Sequence, residues 1–308
     1  MQRLVAIVGP TASGKTALAR ELTLRFDGEI IGADSRQVYR GMDVGTAKED
    51  TSPVAQHLVD ITEAGQPFSL GDWLDRARET LAEVWSRGKL PFIAGGTGQY
   101  VWALLEGWQV PRVPAQPQLR AELERRALTE GVDALAAELR ERDPLAAERV
   151  DPRNPRRVIR ALEVLAATGR ASPSCTVKQT PPWDALIIGL SRPRDELYRR
   201  IDERIDRMLA DGLEAEVRSL LERGYGPELP AMSGIGYRQT CQYIAGEIDL
   251  PTATQRIKTE THRFVRHQNN WFKASDARIR WLAADSDPLS PASTLVREFA
   301  RVQEPARP

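Results

Sequence analysis

Eight residues near the N-terminus, Gly9-Pro10-Thr11-Ala12-Ser13-Gly14-Lys15-Thr16, fill every fixed position of the P-loop pattern. They follow the unbroken apolar run Leu4 to Val8 and open a helical pattern that continues to about Arg25. The motif needs that strand, loop and helix order, because its backbone amides and the start of the helix must face one anion. Lys15 adds a point charge there, and the Thr16 hydroxyl is placed to hold Mg2+ beside the phosphates. The loop therefore predicts a diphosphate or similar group bound by Gly9 to Thr16 and leaves open which compound carries it. It also predicts an α/β fold, since a buried strand must feed a helix that packs back on the sheet.

The rest of the first hundred residues fits βαβ units. Glu29 to Ala33 reads as a second buried strand and His57 to Ile61 as a third. Ser69 can cap a helix whose apolar positions Leu70, Trp73, Leu74, Ala77, Leu81, Val84 and Trp85 recur at three- and four-residue steps, with Gly88 just past its end. Pro91 to Ala94 is another buried strand, and the pattern predicts a P-loop-like core whose mostly parallel sheet is covered by helices on both faces. Pro111, Pro114 and Pro117 mark a boundary. Beyond it the chain is rich in Ala, Leu, Arg and Glu, and residues 111–182 read as a helical insertion. Ala185 to Leu190 resumes the strand pattern, and a long amphipathic helix comes next with Leu197, Ile201, Ile205, Met208 and Leu209 on one face. The core is thus expected in 1–110 and 183–300. The last twenty residues, rich in Pro, Ser and Asp, read as loose, with 301–308 as a tail.

With 43 basic and 43 acidic residues, whole-chain charge gives no argument for a nucleic-acid partner, so any such surface must be local. Two segments qualify: Asp151 to Arg170 carries five arginines against two carboxylates, and Arg256 to Lys273 carries five basic residues against Glu260. A solvated helix face is the plainer reading of either one. Cys175 and Cys241 lack any paired spacing, which argues against a disulfide framework or zinc site and suits a reducing, cytoplasmic setting. No leader pattern opens the chain and no stretch is apolar enough to span a membrane.

Two further loops succeed predicted strands and so fall at the carboxyl edge where the P-loop lies. The first is Asp34-Ser35-Arg36-Gln37. An aspartate there serves as general base, magnesium ligand or helix cap, and position alone leaves all three open. The second, Gly95-Gly96-Thr97-Gly98, is alone no more than a tight turn with a hydroxyl. His57, beside an apolar run, reads as structural. Trp271 and Phe272 come after a basic segment and suit either stacking on bases or helix packing.

Taken in order, GPTASGKT from Gly9, DSRQVYRGMDVGTAK from Asp34, HLVDI from His57, GGTGQYVWALLEG from Gly95, NPRRVIRALEV from Asn154, SGIGYRQ from Ser233 and the segment Thr261 to Lys273 resemble the tRNA dimethylallyltransferase family, also called tRNA isopentenyltransferases. The resemblance implies dimethylallyl diphosphate as donor and, as acceptor, the exocyclic amine of the adenine just 3′ of the anticodon, within the tRNA anticodon stem-loop. It implies catalytic roles for Lys15, Asp34 as general base, and Thr97 beside the reacting adenine. RNA contacts are implied for Asp34 to Gln37, Thr97, Arg120, the block Arg156, Arg157, Val158, Ile159 and Arg160, for Gly236, Tyr237 and Arg238, and for Arg266, His267, Gln268 and Trp271. The chain departs from the family at His262 and His267, where arginine is usual, and at Gln99, Asn269 and Asn270. A monomer without membrane attachment is expected. Three rivals stand beside this reading. A P-loop kinase of a small metabolite leaves the DSRQ block unexplained. The others are a non-catalytic RNA-binding module that uses nucleotide as a switch and an adenine-nucleotide prenyltransferase, against which the two basic segments argue.

Overall fold

Residues 1–110, 113, 116–168 and 177–301 are described in a computed structural model of the chain. They fall into two compact units, Met1–Leu105 with Pro181–Pro308, and Glu106–Thr180. The first unit begins with β1 (Gln2–Val8), α1 (Lys15–Arg25), β2 (Gly28–Gly32), β3 (Gln56–His57), α2 (Leu70–Ser86), β4 (Leu90–Ala94) and α3 (Gly98–Leu105). The second contains β5 (Trp108–Gln109), α4 (Pro117–Thr129), α5 (Val132–Arg142), α6 (Pro144–Ala147), α7 (Pro155–Thr168) and β6 (Val177–Lys178). The chain then completes the first unit with β7 (Trp183–Ser191), α8 (Arg194–Ala210), α9 (Leu213–Glu222), α10 (Tyr237–Ile244), α11 (Leu250–Trp271), β8 (Ile279–Ala283) and α12 (Leu289–Arg301).

Six strands pair in the order β3-β2-β4-β1-β7-β8, all parallel. Central β1, covered on both faces, reads as a continuous apolar run: Leu4, Val5, Ala6, Ile7 and Val8 have no exposed surface. Val5 and Ile7 pack with Leu18, Ala19 and Leu22 of α1 and with Ala292 and Val296 of α12. Each such side chain withdrawn from water contributes about 1.5 to 3 kcal/mol. Helix α2 packs on β2 and β4, where Trp73 donates its indole N–H to the Gly32 carbonyl at 3.0 Å and stacks on Tyr100 of α3 at 4.7 Å. The start of α2 is the expected one: Ser69 Oγ accepts from the Asp72 amide and Asp72 accepts from the Ser69 amide.

Four readings of the sequence are corrected. The third strand stops at His57, because Leu58 and Asp60 turn to positive φ. The terminal segment is not loose through its length: Leu289–Arg301 form α12, whose Ala292 and Val296, four residues apart, are fully buried. Pro291 lies in its first turn, where a missing N–H breaks no helical bond. Residues 302–308 lie outside the described residues. Strand β8 was not anticipated; as an edge strand it carries Arg280 among apolar neighbours and lacks an unbroken apolar run. The second unit is helical but also holds an antiparallel pair, with Trp108 opposite Lys178 and Gln109 opposite Val177. Its core is Leu123, Leu135, Leu139, Val158, Ile159 and Leu162. Among the described residues no helix is long and apolar enough to cross a membrane.

At the opposite end of β2 from the loops lies a buried charge, Glu29, only 4% exposed. It accepts from Arg87 Nε at 3.1 Å and Nη2 at 2.6 Å, sits 2.6 Å from His57 Nε2, and has Lys89 at 3.5 Å. The Arg87 hydrogen bonds, with His57 in support, hold this carboxyl down at about 2 against the opposing effect of burial. His57 is therefore structural, as its setting predicted. A depressed carboxyl stabilises the fold above its unfolded value and loses that contribution as pH falls through its folded one. Glu29→Gln should accordingly destabilise by on the order of 2 kcal/mol at pH 7, after allowing for the half-exposed guanidinium. The gap to wild type should narrow below pH 4.5 and close near pH 2. Equal melting temperatures at neutral pH would contradict this.

Candidate active site

Strands β2, β4 and β1 are consecutive in the sheet, so the loops at their carboxyl ends meet. Gly9 starts the first loop at φ +141°, where a Cβ would stand 2.6 Å from the Leu190 carbonyl oxygen; only glycine seats the loop so close to β7. A Cβ on Gly95 would collide with the backbone of Ala33. With that approach permitted, Thr97 Oγ1 accepts from the Ser35 amide at 3.0 Å and the Thr97 amide donates to the Ala33 carbonyl at 3.1 Å. Asp34 Oδ1 accepts from the Arg36 amide at 2.8 Å, which fixes the carboxylate plane.

Helices α8 and α11 close the site. Arg192, just before α8, donates to the Ser13 carbonyl at 3.2 Å, and Arg200 to the Ala12 carbonyl at 3.0 Å. Arg204 reaches Thr11 Oγ1 at 3.3 Å and the Thr46 carbonyl at 3.2 Å. From α11, buried Gln268 accepts from the Thr11 amide at 2.8 Å and donates to the Gly96 carbonyl at 2.9 Å. Two cavities result. One, about 630 Å³, is lined by Thr11, Lys15, Thr16, Glu49, Arg200 and Arg204 among others. The second, about 300 Å³, is lined largely by apolar groups including Ile201, Ile205, Met208 and Ile257, with Ser35 and Thr97. Asp34, Thr11 and Arg204 line both.

Lys15 Nζ donates to the Pro10 carbonyl at 2.6 Å. Burial, and then the Arg204 guanidinium, lower its pKa to about 8, partly offset by Asp34 and Glu49. Burial likewise pulls Arg204 down from its ordinary value. Two cations held together in a desolvated site favour an anion between them. A magnesium ion fits the hard oxygen donors here, the Thr16 hydroxyl and the Asp34 and Glu49 carboxylates. Among the described residues no three His, Cys, Asp or Glu side chains form a cage for an ion.

The three strand-end motifs thus come together as the sequence predicted. The implied RNA contacts have different settings. Gly236 and Tyr237 are buried and line the second cavity, whereas buried Gln268 has both ends of its amide bonded within the protein. Arg36 donates to the Pro230 and Ala231 carbonyls, Gln37 to the Thr46 carbonyl, and Arg238 pairs with Glu260. Arg266 and His267 are exposed, and Trp271 is 37% exposed, whereas Phe272 is core beside Trp102. His262 packs against α8: its ring stacks on Tyr198 at 4.0 Å with Nε2 2.9 Å from Asp202, so it does not stand in for an RNA-facing arginine. In the second unit, Val158 and Ile159 are core, a correction that comes from their burial. Arg120 binds buried Glu163 through two hydrogen bonds and Arg160 approaches it at 3.4 Å, while Arg156 and Arg157 are exposed. Arg200, Arg204 and Gln268's bridging role were not read from the sequence. The signal was present in α8: Arg200, Arg204 and Arg207 recur at steps of four and three beside its apolar stripe.

Fold and site together define a P-loop-type α/β protein with a charged cavity at the phosphate loop beside a largely apolar one. The chain belongs to the IPP transferase family, whose model matches residues 37–275, beginning after the phosphate loop. A tRNA dimethylallyltransferase of Thermomicrobium roseum is 51% identical over 281 residues, 90% of this chain and 85% of that one. The solved full-length tRNA isopentenylpyrophosphate transferase of Bacillus halodurans is 38% identical with a TM-score of 0.71, covering 97% of this chain and 96% of its own. A eukaryotic dimethylallyltransferase solved acting on tRNA, 24% identical, has the same fold, with a TM-score of 0.82 over 97% of this chain and 80% of its own.

An anion beside Lys15 should raise its lowered pKa, so binding should take up a proton near pH 8 to 9 and affinity should fall as pH rises through 8. Calorimetry of diphosphate binding in two buffers of different ionisation enthalpy measures that uptake. Wild type should show it and Lys15→Met should not; equal uptake by both would contradict the assignment.

Proposed function

We propose that this chain transfers a dimethylallyl group from dimethylallyl diphosphate to the exocyclic amine of the adenine just 3′ of the anticodon in tRNA. The observation that carries this reading is the junction at Asp34, where a charged cavity whose phosphate loop is faced by Lys15, Arg200 and Arg204 meets one lined largely by apolar groups, a pairing suited to a diphosphate and to a hydrocarbon chain and a base. The names of the bacterial relatives point the same way.

Breaking the allylic carbon–oxygen bond leaves negative charge on the diphosphate. Gly14, Lys15 and Thr16 of the phosphate loop and Arg204 line the cavity in which, on this reading, that charge develops. Magnesium held by Thr16 would add charge neutralisation at the leaving group. The adenine amine is a weak nucleophile because its lone pair is delocalised, so it must be aimed at the allylic carbon and give up a proton. Asp34, oriented by the Arg36 amide, is the acceptor on this reading, and Thr97 lines the same apolar cavity. The base must leave its stack to enter, which suits an anticodon loop.

Incubating the protein with labelled dimethylallyl diphosphate and unmodified tRNA, without ATP, tests the reading: label should appear in the tRNA. Phosphoryl transfer from ATP without prenyl transfer would replace it with a kinase, and preferential labelling of free adenine nucleotides with a nucleotide prenyltransferase. Exposed Arg156 and Arg157 should serve the RNA alone. Their replacement by Ala should raise the tRNA Michaelis constant and flatten its salt dependence with donor affinity unchanged. Arg160→Ala, which instead removes a partner of buried Glu163, should mainly lower the stability of the second unit. Loss of donor affinity in the first variant would overturn this division.

A further inference from the structure

Glu216 of α9 lines neither cavity, yet its carboxylate accepts from the Asp43 and Val44 amides at 2.7 Å each, the Gly45 amide at 3.0 Å and the Tyr237 hydroxyl at 2.6 Å. Three consecutive amides facing one anion make a concavity of the kind that binds phosphate; here the anion is the protein's own. The loop is also pressed on Tyr237, since a Cβ on Gly45 would stand 2.6 Å from that ring. Burial, with Glu216 adding to it, raises the Tyr237 pKa, so the hydroxyl stays a donor.

Immediately after these three amides in the chain comes the Thr46 carbonyl, which accepts from Gln37 at 3.1 Å and from Arg204 at 3.2 Å. Thr46 is itself tied back to the Met42 carbonyl at 2.5 Å. The other terminal nitrogen of Arg204 is the one that reaches Thr11 in the phosphate loop. Arginine is a flexible side chain with a planar fork, so an acceptor fixed on one side decides where the other side points. The Arg204 guanidinium has no carboxylate partner among the described residues, and a carbonyl is what aims it.

We propose that Glu216 is a positioning residue for the donor: it holds residues 43–45 so that the Thr46 carbonyl aims Arg204 across the phosphate loop. This rests on the reading of the larger cavity as the diphosphate site. Glutamine at 216 cannot replace the carboxylate, because one of its two ends would turn an N–H toward amide donors.

Glu216→Gln should weaken dimethylallyl diphosphate binding about tenfold while tRNA affinity stays within about twofold of wild type. In an Arg204→Ala background the same change should weaken the donor by less than about twofold, because the group it aims is gone. Unchanged donor affinity in Glu216→Gln, or a full further loss in the Arg204→Ala background, would overturn the proposal and leave Glu216 a structural tie. Should Glu216→Gln not fold, Glu216→Asp, which keeps the charge but withdraws it by one methylene, carries the same expectation at smaller size. Failure of the wild type to bind the donor would instead strike at the reading of the cavity.

Discussion

Positive charge gathered at the end of β1 governs the rest of this structure. Lys15 and Arg204 are brought together under burial that lowers both from their ordinary values, and Arg200 and Arg192 hold the loop's carbonyls from above. Such an arrangement is unfavourable until an anion enters. The protein tolerates it because the carbonyls of Pro10, Ala12, Ser13 and Thr46 accept from these cations, and because Asp34 and Glu49 lie nearby. On the proposed reading, charge held ready in this way needs no reorganisation when a leaving diphosphate develops its own.

The fold serves that requirement. A parallel sheet brings the ends of β2, β4 and β1 to one edge, and the close approach of Gly95 to Ala33 lets Thr97 and Ser35 bond across two loops. Helix α8 then does two things at once. Its Ile201 and Ile205 wall the apolar cavity, while Arg200 and Arg204, in the same turns, cover the phosphate loop. A phosphate-binding scaffold thereby acquires an apolar compartment, and Asp34 stands where the two meet.

Much of this was legible in the sequence, and the exceptions share a cause. Buried parallel strands write themselves as unbroken apolar runs, so β1, β2, β4 and β7 were readable, whereas edge strand β8, with Arg280 in it, was not. The phosphate loop and Asp34 were readable because their chemistry is local. Arg200 and Arg204 were not, because an arginine on a helix looks the same whether it faces water or a loop brought near by the fold. The converse explains Val158, Ile159 and Gln268: surrounded by basic and polar residues in sequence, they turn inward by the helical period. Helix α12 was hidden by Pro, Ser and Asp that sit in its first turn and cap, where those residues belong.

The junction at Asp34 is the centre of the account, and one variant tests it. Asp34→Asn keeps the oxygen that accepts from the Arg36 amide but removes the basic lone pair. Single-turnover prenyl transfer should fall about a hundredfold or more, with donor affinity, tRNA affinity and melting temperature retained. Weakened donor binding that raised magnesium restores would make Asp34 a metal ligand instead, and turnover close to wild type would contradict the account.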